Sequence, residues 1–225
     1  MRRKYDEELI PAFYEVATVF EGLGQRRPEY VDGDPEIELG RFLGWMRIAR
    51  APGDSWSATS LADQPERRKR IIHFLGDWGA VENTTAGDMF DAEKEVSKIE
   101  RLRTTFASSQ AIEQLSYDEL FDALIGVHAF YDRLRFVSGG LPGLRADFAQ
   151  RNSLRAIKDT LTYLLHGSGT ALERAYDCLY DEKRRLDGFA EACVMELLGW
   201  MDAARPPING RTIKALRFLG FDVKD

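Results

Sequence analysis

Arg184–Val223 reads RRLDGFAEACVMELLGWMDAARPPINGRTIKALRFLGFDV, and this stretch decides the fold. A tight turn around Gly188 opens it. Val194, Leu197 and Leu198 then give an apolar helix face. Pro206 and Pro207 stop that helix, because proline lacks the N–H and clashes with the preceding turn. A last helix ends in Leu219-Gly220. The pattern is two helices around a proline corner, entered through a glycine turn.

Upstream, almost every periodic segment has helical spacing. Leu9, Phe13, Val16 and Phe20 share one face of a helix predicted over Tyr5–Gly22, with Pro11 tolerated near its start. Pro35 suits the first turn of a second helix that ends near Arg50 and is anchored by Ile37, Phe42, Trp45 and Ile48. Ala51–Glu66 is loop-like in composition and long enough to be a contact loop. The run ERRKR then opens a third helix, whose four consecutive cations Arg67–Arg70 are a candidate phosphate contact or a solvated face.

Asp88–Leu115 reads as a mixed-polarity helix broken near Thr104 and Thr105. Ser116 with Glu119, and Thr170 with Glu173, are capping boxes. Ser138–Gly143 is the clearest internal boundary. It suggests an N-terminal helical region over 1–137 and a C-terminal lobe over 144–225, or one continuous domain. Helices are expected over Leu144–His166 and Thr170–Leu186. The overall expectation is an all-α protein of eight or nine helices. FLGWMRIARAP at Phe42–Pro52 also echoes LLGWMDAARPP at Leu197–Pro207, as a duplication or a chance likeness of amphipathic helices would.

Composition narrows function. With 44% hydrophobic and 30% charged residues, the chain has the make-up of an ordered globular protein. A net charge of −6 argues against coating nucleic acid non-specifically but permits a local basic patch. Such a patch is present: Lys183–Lys224 holds eight cations against five anions. No apolar run approaches the ~18 residues of a membrane span, and the N-terminus lacks a signal-peptide core, so a cytoplasmic address is expected. Cys178 and Cys193 lie on apolar helical stripes, as buried free thiols do. The three histidines lack metal-ligand spacing. No metal or cofactor is expected.

Leu186-Asp187-Gly188-Phe189-Ala190, with Ala192 beyond it, resembles a helix-hairpin-helix motif. A short turn ending at a helix N-terminus presents backbone N–H groups toward an anion. The likeness extends to the helix-hairpin-helix superfamily of DNA glycosylases, in which the second helix is followed by a Pro-apolar-Asp corner and a helix ending in Leu-Gly. Here the corner is Pro207-Ile208-Asn209 and the ending Leu219-Gly220. The resemblance implies a catalytic Asp where this chain has Asn209, and a catalytic Lys near Ala192. An amide and a methyl group supply neither general base nor nucleophile, so no catalytic residue is assigned and Asn209 is expected to cap the last helix.

The same tail resembles segments of bacterial restriction and phage-defence proteins, where ATPase or nuclease domains accompany it. These likenesses imply a non-catalytic DNA-binding or DNA-sensing accessory protein, with a possible ATPase or nuclease partner. Gly188, Phe189 and Ala190 would give N–H groups to a phosphate, surrounded by Arg184, Arg185, Arg211, Lys214 and Arg217. The alternatives are a helical protein-interaction module without DNA binding, packing Trp45 and Trp200 in a core or on a partner, and a hydrolase whose acid lies elsewhere, at Asp187 or Asp202.

Overall fold

In the computed structural model, residues 1–24, 26–30, 34–49, 61–80, 92–202 and 204–224 are described. They form twelve α-helices and no strand. In chain order these are α1 (Ile10–Leu23), α2 (Pro35–Ala49), α3 (Gln64–Gly79), α4 (Ala92–Thr105), α5 (Ser109–Gln114), α6 (Tyr117–Leu124), α7 (His128–Tyr131), α8 (Gly140–Arg151), α9 (Leu154–His166), α10 (Ala171–Tyr180), α11 (Glu191–Met201) and α12 (Gly210–Leu219). The expected all-α class holds, and none of the described helices is long and apolar enough to cross a membrane. Most of the expected loop at 51–66, and the start of the helix expected at Asp88, lie outside the described residues.

The helix count exceeds eight or nine because local caps divide the chain more finely than apolar periodicity does. Phe106–Ser108 separates α4 from α5, and the Ser108 hydroxyl accepts from Ala111 N to start α5. The single helix expected over Leu144–His166 is two. Asn152 adopts an extended conformation after α8, and Ser153 caps α9 by accepting from Ala156 N. Both capping boxes form, at Ser116–Glu119 and Thr170–Glu173.

The chain divides into two compact units. Ser97–Asn209 form one, here the inner unit because it is the middle stretch of the sequence; Arg2–Val96 and Gly210–Asp225, the flanking stretches, form the other, the outer unit. The break at Ser138–Gly143 therefore lies inside the inner unit, and α8 begins within it. The last two helices, adjacent in sequence, belong to different units.

In the outer unit, α12 packs on α2 and α3, and α1 packs on both of those helices. Pro11 sits in the first turn of α1, and Ala12, Phe13, Val16, Val19 and Phe20 form its buried face. α2 is the core helix: Ile37, Leu39, Phe42, Leu43, Trp45 and Met46 are all buried. Trp45 meets Trp78 of α3 at 5.6 Å between ring centroids. Burying side chains of this size stabilises by about 1.5–3 kcal/mol each.

In the inner unit the matching role falls to α11, which packs against α7, α9 and α10. Every residue from Cys193 to Trp200 is buried. The sequence echo between Phe42–Met46 and Leu197–Met201 thus marks the central helix of each unit, and both Trp45 and Trp200 are core residues of their own unit. Gly199 is required by a close approach. A Cβ there would lie 2.3 Å from Pro207 Cα and 2.4 Å from the Pro206 carbonyl carbon, so glycine lets the proline corner fold back on α11.

Candidate nucleic-acid interface

The polar groups of the glycine turn at Leu186–Ala190 are largely used within the inner unit. Gly188 has φ +82°, which calls for glycine, and a Cβ would fall 1.6 Å from Nη1 of Arg133 and displace its guanidinium. The Arg133 guanidinium donates to the Gly188 carbonyl at 2.7 Å and reaches Asp147 at 3.3 Å. The buried Asn152 clamps the other side. It donates to the Asp187 carbonyl at 3.0 Å and accepts from Asp187 N at 2.8 Å. Phe189 N donates to the Leu186 carbonyl, and the Phe189 ring is core, 5.7 Å from Phe130.

The cations expected around that turn also have partners. The Arg184 guanidinium stacks 3.5 Å from the Tyr163 ring centroid and lies 3.8 Å from Asp181. Arg185 pairs with Asp187 at 3.5 Å. Ala190 is exposed at the start of α11, and no side chain caps that helix from it.

Arg211, Lys214 and Arg217 lie in the outer unit, so the eight residues expected to make one phosphate site do not fall in one compact unit. On α12, Thr212, Ile213, Ala215, Leu216 and Leu219 are buried. The three cations occupy the remaining stripe, half-buried, and α12 contains no acid.

Sequence periodicity gives no hint of what lies next to α12. It packs beside α3, the helix that carries Arg67-Arg68-Lys69-Arg70. Phe218 meets Phe74 at 5.3 Å, and Ala62 N donates to the Gly220 carbonyl at 3.0 Å. Both contacts fall at the C-terminal end of α12. Asp63 caps α3 by accepting from Glu66 N, and Pro65 occupies the first turn.

The α3 cations differ in state. Arg67 grips Glu15 through two bonds of 2.8 Å and lies over the Phe221 ring at 4.7 Å. Its bonds to Glu15 raise its pKa, which keeps it charged. Arg70 and Lys69 approach Glu66 at 3.5 and 3.8 Å. Lys69 is 77% exposed, and Arg68 is exposed too.

Three glutamates are buried among the described residues; Glu95 lies 3.5 Å from Arg41, and Glu196 and Glu38 are tied to backbone and side-chain donors. Glu196 on α11 accepts from His128 N at 2.9 Å and Ala129 N at 2.8 Å, and lies 2.7 Å from His128 Nδ1. It therefore caps α7. Burial pushes its carboxyl up, but the adjacent His128 and the two backbone donors outweigh that and hold it below the ordinary glutamate value. Glu38 on α2 accepts from Arg26 Nε, Arg27 N and Trp78 Nε1 at 3.0, 3.0 and 3.2 Å.

The other chemistry-bearing groups sit as follows. His166 Nε2 lies 2.9 Å from the Phe106 carbonyl oxygen, and His73, 64% exposed, lies 3.8 Å from Asp77. Among the described residues no cluster of His, Cys, Asp or Glu is arranged to hold a metal. Cys178 and Cys193 are buried and unbridged, and burial pushes each thiol up to about 12. Asp202 accepts from Ala204 N, and Asp187 is 54% exposed. Asn209 is half-buried, immediately before α12. Compared with protein families, curated proteins and solved structures, the chain matches none of them.

Proposed function

We propose that this protein is a non-catalytic DNA-binding accessory protein whose contact surface is the α3–α12 pair of the outer unit. One observation carries the reading. A helix with three cations and no acid packs directly beside a helix opening with four consecutive cations, in a chain whose net charge is −6. Arg68 and Lys69 are exposed, and Arg211, Lys214 and Arg217 are partly so. Cations spaced along two packed helices suit the regularly spaced phosphates of a duplex. At the turn around Gly188 the Arg133 guanidinium is bound to the Gly188 carbonyl, and the reading does not rest on that turn. A defence-system setting with an ATPase or nuclease partner follows from the resemblance of the tail and is part of the same proposal.

The test is a duplex-DNA titration over salt with the wild type and with Arg211→Glu/Lys214→Glu. Binding that weakens with salt and is lost in the double variant supports the reading; no binding at low salt ends it.

A second reading, a protein-interaction module, is favoured by the inner unit's exposed aromatics. Tyr176 and Tyr180 meet at 4.6 Å with tilted rings on α10 at 53% and 60% exposure, and Phe136 is 83% exposed. Retained partner binding in a variant that has lost DNA would distinguish it.

A further inference from the structure

We propose that the groove between α1 and α3 is a receptor for an unpaired nucleobase at a single-stranded DNA end, next to the exposed cations of α3. The inference rests on the DNA-binding reading and names the form of DNA preferred. The groove is open to solvent and has a volume of about 530 Å³, within the roughly 300–1,000 Å³ usual for small-ligand pockets. Its apolar lining is Pro11, Val19 and Pro65, with the Tyr14 ring, 38% exposed, among them.

A flat, apolar-faced ring with a polar edge fits this lining better than an alkyl chain does, because polar groups sit among the apolar ones. Glu15 is an acceptor held in place by the two bonds from Arg67. The Thr18 hydroxyl donates to the Tyr14 carbonyl at 2.8 Å, which leaves its oxygen to accept. Gln64 offers both a donor and an acceptor. Hydrogen-bond acceptors and an amide of this kind match the donor and acceptor edge of a base.

Charge complementarity supplies the rest. Arg68 lines the groove and belongs to the Arg67–Arg70 run. A nucleotide whose base enters the groove places its phosphate near Arg68 and Lys69. Bases within a duplex are stacked and paired, so only a single-stranded tail delivers one without the cost of extruding it.

The test is fluorescence anisotropy at fixed salt with a blunt duplex and the same duplex carrying a short single-stranded tail. The wild type is expected to prefer the tailed duplex by about five- to a hundred-fold, the range that one stacked base supplies. Tyr14→Ala should erase the preference while leaving blunt-duplex affinity unchanged. Tyr14→Phe keeps the ring and should keep the preference, which separates lost stacking from lost folding. Equal affinity of the wild type for the two duplexes overturns the inference and leaves the DNA-binding reading standing. Failure to bind either overturns both. A preference that survives in Tyr14→Ala, or that a free nucleoside monophosphate competes away as well as the tail does, overturns the assignment to a strand end.

Discussion

Replacing Glu196 with alanine is expected to destabilise the protein by about 3–5 kcal/mol, the usual cost of removing one partner from a buried ionic pair. The carboxylate is fully buried and accepts two backbone N–H groups at the start of α7 at 2.9 and 2.8 Å. Alanine leaves those donors facing an apolar gap. Each orphaned donor costs about 1–3 kcal/mol, so the pair alone accounts for about 2–6 kcal/mol. Glutamine keeps one acceptor oxygen but turns an NH₂ toward a donor, and is expected to cost less than alanine.

The pH dependence of the same site has a definite sign. A carboxyl held below its ordinary value in the folded state adds stability above its unfolded pKa and loses it as pH falls through the folded one. Glu196 therefore contributes fully at neutral pH, and its contribution fades below the ordinary glutamate value of 4.5. Urea denaturation followed by circular dichroism at neutral and acidic pH measures both effects. A loss under about 1 kcal/mol for Glu196→Ala would refute the reasoning. So would a Glu196→Gln variant whose stability falls in acid as steeply as that of the wild type.

Gly199→Ala is expected to be among the most disruptive single-methyl changes, because its Cβ would meet proline backbone at 2.3 Å rather than a yielding side chain. Overpacking of this kind costs about 1–3 kcal/mol or more, readable as a lower urea midpoint, whereas Gly22→Ala, with nothing within 4 Å, should be neutral or stabilising. Cys178 and Cys193 are expected to resist iodoacetamide in the folded protein and to react on unfolding, since both are buried and their thiols are pushed up to about 12; mass spectrometry showing rapid native alkylation would contradict their burial.

What was legible in the sequence was what depends on neighbours along the chain. Ser116–Glu119 and Thr170–Glu173 announced their helices because a capping box closes within three residues. Gly188 announced a turn, and it takes positive φ. The helix break at Asn152–Ser153 was hidden, because apolar residues keep helical spacing across it and only the Ser153 cap marks it.

The candidate site was legible in its parts and not in its assembly. Arg67–Arg70 and the stripe Arg211, Lys214, Arg217 stand out in the sequence. Their juxtaposition does not, since helical periodicity marks the apolar face of α12 without naming the helices, α2 and α3, that it packs on. Arg133 and Asn152, which occupy the turn at Gly188, lie 55 and 36 positions upstream of it. No local pattern links them to it.

The central claim, that the α3–α12 pair binds DNA, is tested most directly by measuring duplex-DNA affinity across a salt series for the wild type and Arg211→Glu/Lys214→Glu. The account predicts a log–log plot of affinity against salt with a negative slope, about 0.9 per phosphate contacted, and a double variant that binds more weakly at every salt concentration. Affinity absent at low salt, or unchanged by the double substitution, would contradict it.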